Sequence, residues 1–357
     1  MSMRPRTPEP ELWSLGDLEK LRLILRGGSV IDWRRLHFQS RAEVDDYLRL
    51  CLFDPTDEND HARLRRLLDE SVDYLRTTFG YAVAPEVASP REIHDLFLLA
   101  SGVAEPHRLR RIACIVLKVM HVVHHVEARG LLHRTRLTES ELAGLVTARV
   151  DQAIAGLRTE GGPVLSAHGS VKTRASIVTK LLAKKETLAA AVYDRVRYRI
   201  VVSRREDVLP VLVRLCDTLL PFNFVVPGQT QNTLFSFAEV VGKTPQLAKL
   251  VPQLQSDLRL EEGDDAHHPQ HGPNEFSGVG YEVLNFVVDL PVKLPEHLVA
   301  DPLDGRIAFC WVELQLVDQT TAAQNEKGEN AHARYKRRQL RKVLRRLSRG
   351  LVVPRRR

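Results

Sequence analysis

Residues 307–317 read IAFCWVELQLV, and this run fixes the class of the second half of the chain. It is dense in β-branched and aromatic residues and contains neither Gly nor Pro, so it reads as a strand with at least one buried face. Period two sets Phe309, Trp311, Glu313 and Gln315 on one side and Cys310, Val312, Leu314 and Leu316 on the other. A carboxylate therefore shares a face with aromatic rings. Burying it bare would cost several kcal/mol, so Glu313 is hydrated on a half-exposed face, paired with a cation or bound to a metal.

Working outward, RVRYRIVV (195–202) and EVLNFVVDL (282–290) have the same strand character, and helix-like stretches lie near 172–190, 206–220 and 326–349. This half is mixed α/β. A polar passage ending in EEGDDAHHPQHGPNEFSGVG reads as an insertion over 227–277. Before residue 160 the period is helical. In RRIACIVLKVMHVVHHVEARGLL (110–132) the apolar residues follow 3/4 spacing, and Thr138 with Glu141 forms a capping box that opens another helix. Gly161, Gly162 and Pro163 break the pattern. The expected organisation is α+β: an N-terminal all-helical domain at 1–160 that regulates or packs, a mixed-sheet α/β domain at 161–345, and a basic tail at 346–357.

The 357 residues suffice for two ordinary domains. With 43% apolar and 27% charged side chains the chain is neither wholly disordered nor a membrane protein. A net charge of +7 favours polyanionic partners. Cys51, Cys114, Cys216 and Cys310 form no C-x-x-C pair and read as small core residues. The start lacks the apolar core of a signal peptide and no long uncharged apolar run occurs, which predicts a cytoplasmic protein without a membrane span.

Three further stretches could carry chemistry. If VKTRASIVTKLLAKK (171–185) is helical, Lys172, Ser176, Lys180 and Lys184 recur every four residues on one face while Ile177, Leu181 and Leu182 point to a core. Such a row could hold a triphosphate, or be a solvated lysine face. Asp194 heads the strand at 195–202 and could offer a hard oxygen to Mg²⁺, or simply cap a turn. In GVGYEVLNFVVDL (278–290), Tyr281, Val283 and Asn285 share a face, where the tyrosine could stack on a base or pack.

In order, these pieces resemble the synthetase domain of the RelA/SpoT family, the (p)ppGpp synthetases, over about residues 165–345. VKTRASIVTKL is similar to that family's basic signature, DRVRYRIVV to its Asp-headed strand, GYEVLN to its G-Y-x-x-L-H, VELQL to its V-E-x-Q strand, and ENAHARYK to the following helix with its His and Tyr-Lys. The resemblance implies a nucleotidyltransferase-type fold and an enzyme that moves the β,γ-pyrophosphate of ATP to the 3′-hydroxyl of GDP or GTP, in guanosine tetraphosphate metabolism and the stringent response. A related acceptor such as tRNA belongs to the same expectation. It further implies Mg²⁺ between Asp194 and Glu313, Glu313 helping to deprotonate the hydroxyl, and Lys172, Ser176, Lys180 and Lys184 on the ATP phosphates. Arg199 would lie along adenine and Tyr281 on guanine, with Asn285, Gln315, His332, Tyr335 and Lys336 in support. Four positions depart from the pattern: Ser170 replaces an arginine, Val283 a serine, Asn285 a histidine and Val317 an arginine. The alternative they raise is a catalytically degenerate module that binds nucleotide or RNA.

Long members of the family carry a histidine-aspartate metal site before the synthetase. His94-Asp95, with His61 and Asp151, reads here as a chance doublet, because EIHDLFLLASG lacks the acidic run that follows such a site. His121, His124 and His125 read as interior or interface histidines rather than a zinc site, since no third ligand is identifiable. The ending ARYKRRQLRKVLRRLSRGLVVPRRR reads as an amphipathic basic helix with Leu340, Val343, Leu344 and Leu347 on one stripe. It is either solvated or a contact for tRNA or ribosomal RNA.

Overall fold

The computed structural model describes residues 13–26, 36–102, 107–183, 195–236, 249, 280–299, 305–327 and 332–347. Seven helices precede the first described strand: α1 (Leu15–Arg26), α2 (Arg41–Leu50), α3 (Glu58–Phe79), α4 (Pro85–Ala88), α5 (Ile93–Ser101), α6 (His107–Arg134) and α7 (Glu139–Thr159). Their ends follow local chemistry. Asp57 caps α3 by accepting from Asp60 N, and Gly80, at φ 67°, ends it in the left-handed region. The capping box at Thr138 and Glu141 opens α7 as read.

The sheet contains β1 (Val164–Val171), β2 (Val196–Val202), β3 (Gln231–Asn232), β4 (Leu284–Lys293) and β5 (Ile307–Asp318), in the order β1-β2-β5-β4-β3. It is mixed: β2 runs parallel to β5 and every other pair is antiparallel. The remaining α-helices among the described residues are α8 (Arg174–Ala183), α9 (Val208–Thr218), α10 (Gln319–Asn325) and α11 (His332–Leu347).

Val196, Tyr198, Ile200 and Val202 of β2 pair in register with Val312, Leu314, Leu316 and Asp318 of β5. The apolar members of this set are buried, each worth roughly 1.5–3 kcal/mol. They belong to one continuous core that also takes in α1 to α7 and α9. Two polar side chains fix that packing. The Tyr198 hydroxyl donates to Asp151 Oδ1 at 2.9 Å and to Thr147 O at 3.2 Å, both on α7. Arg149 of α7 donates to the carbonyls of Leu50 at 2.7 Å and Leu219 at 3.0 Å, and to that of Pro291.

The strands and the long helix at 110–132 lie where the sequence places them, and Cys51, Cys114 and Cys216 are buried. Four expectations change. β1 has no forerunner in the sequence reading, because VLSAHGSV is a largely exposed strand without alternation. Helix α8 starts at Arg174, so Lys172 lies outside it. Gln231 and Asn232, inside the stretch read as an insertion, pair with β4 at the sheet edge, whereas 237–248 and 250–277 lie outside the described residues. On α11 only Val343 of the expected stripe is buried, against Ala183 of α8; Leu340, Leu344 and Leu347 are about half exposed.

The histidines have structural partners. His94 bonds Asp45 Oδ1 at 2.6 Å, Asp95 closes the capping box of α5, His61 contacts the Pro55 carbonyl, and Asp151 serves Tyr198. His124 sits between Phe53 and Phe309, and His125 stacks on Phe309 with ring centroids 4.0 Å apart. Among the described residues, no helix is long and apolar enough to cross a membrane.

Candidate active site

Strand register assembles the polar face. Arg197 lies opposite Glu313 and Arg199 opposite Gln315 across β2 and β5, Asn285 opposite Gln315 across β4 and β5, and Ser170 opposite Arg197 across β1 and β2. Cross-strand partners share a face, so these six side chains belong to one surface.

Glu313 stands at its centre, 5% exposed. Arg197 Nε donates to Oε2 at 2.7 Å and Gln315 Nε2 to Oε1 at 3.2 Å. Burial pushes the Glu313 pKa up, but the charge and hydrogen bond of Arg197, joined by Lys172 and Lys180, outweigh it and hold the carboxyl below its ordinary value. The group is therefore ionised at neutral pH. Lys172 feels the opposite pressure. Burial, then repulsion from Lys180 and Arg197, brings its pKa down to about 7 despite the attraction of Glu313.

Lys172 gets there from the turn after β1, not from a helix face. Its backbone N donates to Arg195 O at 2.8 Å. Thr173 then opens α8, its hydroxyl accepting from Ser176 N at 3.3 Å and sharing a 3.0 Å hydrogen bond with Ser176 Oγ. Lys180, further along α8, meets Lys172 side chain to side chain. Lys172 and Lys180 thus converge although the regular row fails, and Ser176 is exposed on the first turn of α8. The expectation for Leu182 also changes: it is 39% exposed rather than in the core.

Tyr281 precedes β4 on a segment held from two sides. Thr233 Oγ1 donates to Tyr281 O at 3.1 Å and accepts from Val283 N at 2.9 Å, while Asn325 of α10 donates to Glu282 O at 2.7 Å. Burial raises the Tyr281 pKa, Arg199 and Arg197 oppose that rise, and Glu313 and Glu326 reinforce it, which brings the phenol into the same cluster. Arg199 donates to Glu326 Oε1 at 2.6 Å. The buried Asn285 Oδ1 has no hydrogen-bond partner among the described residues.

Arg197 and Glu326 are the members that the sequence reading missed. Period-two alternation from Arg199 was the available signal for Arg197. Asp194 and Lys184 lie outside the described residues; His332 and Tyr335 fall on α11 without described side chains, and Lys336 on the same helix is exposed. Among the described residues no group of three His, Cys, Asp or Glu could hold a metal. Mg²⁺ needs only one or two carboxylates plus substrate phosphates, and both Glu313 oxygens keep a lone pair beyond their present bonds, so the Glu313 carboxylate has the chemistry to supply one of its ligands. A cavity of about 1170 Å³ also opens between α1, α2, α7 and α9, lined in part by Lys20, Tyr47, Arg149 and Cys216, and contains none of the residues above.

No protein-family profile and no curated protein matches the chain. Among solved structures it is similar to small alarmone synthetase 2 from Bacillus subtilis, at 15% identity and TM-score 0.31, over 59% of this chain and 96% of that one. The chain resembles small alarmone synthetases. Small alarmone synthetase 1 from the same organism, bound to its product pppGpp, matches at 15% identity and TM-score 0.31 over 56% of this chain and 81% of that one. A GTP pyrophosphokinase family protein from Streptococcus pneumoniae matches at 14% and 0.30, over 58% and 83%. The chemistry is set by this chain's own residues. What they offer is an ionised, buried carboxylate beside two lysines, two arginines and a tyrosine ring: a surface that can bind polyphosphate, stack a base and accept a proton.

Proposed function

We propose that the chain is a pyrophosphotransferase of the RelA/SpoT type, acting in the cytoplasm on ATP and a 3′-hydroxyl acceptor, GDP or GTP, or a related acceptor such as tRNA. In the reaction the acceptor 3′-oxygen bonds to the β-phosphorus of ATP, the bond from that phosphorus to the α,β-bridging oxygen breaks, and AMP leaves. The observation that carries this reading is the buried, ionised Glu313 with Lys172, Lys180 and Arg197 around it. Transfer of this kind is mostly positioning and charge neutralisation.

Each residue then has a task. Lys172 and Lys180, with Ser176 and Lys184, hold the ATP phosphates; Arg199 lies along the adenine and Tyr281 takes the guanine. Glu313 accepts the proton of the attacking hydroxyl, with Gln315 and Asn285 supporting it, and His332, Tyr335 and Lys336 complete the site from α11. Mg²⁺, held by Asp194 and Glu313, would neutralise phosphate charge when bound. The α11 helix rests on α8 through Val343 and Ala183, so its arginines and lysines extend the basic surface toward an RNA acceptor.

A second reading, a binding module that has lost turnover, is favoured by the Arg197–Glu313 ion pair, which already occupies one carboxylate oxygen. One experiment divides the two. The protein is incubated with γ-labelled ATP, Mg²⁺ and, separately, GDP, GTP and tRNA, and the Glu313→Gln variant is run alongside. Label moving to an acceptor and vanishing in the variant is the expected result; no transfer to any acceptor, with nucleotide still bound, selects the binding module.

A further inference from the structure

Three aromatic rings stand in solvent at the C-terminal end of α3. Tyr74, Phe79 and Tyr81 are 46%, 60% and 42% exposed, and they touch one another: Tyr74 and Phe79 meet edge to face with centroids 5.6 Å apart, Phe79 and Tyr81 with centroids 6.5 Å apart. A single exposed ring is ordinary, but a contiguous trio marks a surface that a partner covers. The backbone holds the trio in place. Gly80 N donates to Arg76 O and Tyr81 N to Leu75 O, both at 3.1 Å, so the chain folds back over the helix end. Rings presented on such a fixed turn lose little entropy on binding.

The charges beside the rings define the partner's chemistry. A recess of about 400 Å³ is lined by Asp69, Glu70, Asp73 and Arg76 of α3 and by Ser89 after α4. Glu70 lies one helical turn before Tyr74 on the same face, so recess and rings are continuous. Asp69, Glu70 and Asp73 are exposed, and among the described residues none of the three carboxylates has a hydrogen bond or an ion pair. Arg76 offsets one of them, which leaves the recess acidic on a chain of net charge +7. Such a surface disfavours nucleic acid. It favours cations, since the faces of aromatic rings attract guanidinium and ammonium groups and the carboxylates pair with them. We propose that the end of α3 and its recess are a docking surface for a Lys- or Arg-rich segment of a partner protein, whose cationic side chains lie over Tyr74, Phe79 and Tyr81 and pair with Asp69, Glu70 and Asp73. The surface shares no residue with the polar sheet face and does not depend on the reaction proposed there.

The test is fluorescence anisotropy on the full chain, with a dye-labelled peptide of alternating Arg and Ala and its Glu-for-Arg counterpart as probes. Wild type should bind the Arg peptide and not the Glu peptide, although its net positive charge favours the reverse. An exposed cation–π contact is worth about twofold to fivefold in affinity, so Tyr74→Ala/Phe79→Ala should weaken binding by about fivefold to thirtyfold. Asp69→Asn/Glu70→Gln/Asp73→Asn should weaken it as well. All five side chains are exposed, so both variants keep the core intact. Failure of wild type to bind the Arg peptide overturns the proposal. A loss confined to the carboxylate variant also overturns it, because the contact is then charge attraction without the rings. So does an RNA oligonucleotide whose affinity falls when the rings are removed, which would make them a platform for bases.

Discussion

Lowering the pH from 7 to 5 should destabilise the fold through His124, and by an amount that follows from its surroundings. The ring is 6% exposed, 5.2 Å from the centroids of Phe53 and Phe309, and its Nε2 has no hydrogen-bond partner among the described residues. Burial first, then the charges of Arg63 and His125, hold its pKa well below the ordinary value, so it is neutral when folded. Above about pH 6.5 the unfolded chain is neutral there too, and the group contributes nothing. Below that, only the unfolded state takes up the proton. Stability is then lost at about 1.4 kcal/mol per pH unit for as long as the folded ring stays neutral, which bounds the loss at pH 5 at about 2 kcal/mol. Urea titrations of wild type and His124→Phe at both pH values isolate this contribution, because all other groups are shared. Wild type should lose more than the variant, by up to about 2 kcal/mol; identical losses would refute a neutral, buried His124 between α6 and β5.

Three further outcomes are expected. With the Lys172 pKa at about 7 in the free protein and restored toward its usual range by polyphosphate, ATP binding at pH 8 should take up about 0.9 proton and at pH 6 almost none, measured by calorimetry in buffers of different ionisation enthalpy; equal uptake at both would contradict it. Arg149→Met should cost about 2–4 kcal/mol in thermal or urea unfolding, since three carbonyls on separate elements lose their donor. Gly169→Ala should cost about 1–3 kcal/mol, because the new Cβ would lie 2.7 Å from the ring of Tyr198, which α7 holds in place; an unchanged melting temperature would show that the ring yields.

The legible parts of the fold were those with a local period. Helix α6 and strands β2, β4 and β5 each carry enough apolar residues at one spacing to declare themselves, and Thr138 with Glu141 marks a helix start by its own hydrogen bonds. β1 was not legible because it is an exposed edge strand whose side chains pack against little. The lysine row is legible only in part: the hydroxyl of Thr173 opens α8 after Lys172, so Ser176 and Lys180 keep the helical four-residue spacing while Lys172 joins from the preceding turn. Glu313 could be singled out from its contrast with apolar neighbours, and Tyr281 from the glycines before it and the family resemblance. The Arg197–Glu313 pair could not, since it depends on the register of two parallel strands whose paired residues are 116 positions apart.

Nucleotide should bind at the polar sheet face. A crystal structure of the protein with Mg²⁺ and a non-hydrolysable ATP analogue tests this most directly. The triphosphate should lie within hydrogen-bond distance of Lys172, Lys180 and Arg197, with a carboxylate oxygen of Glu313 beside it. A nucleotide seated instead in the cavity between α1, α2, α7 and α9, with Glu313 untouched, would contradict it.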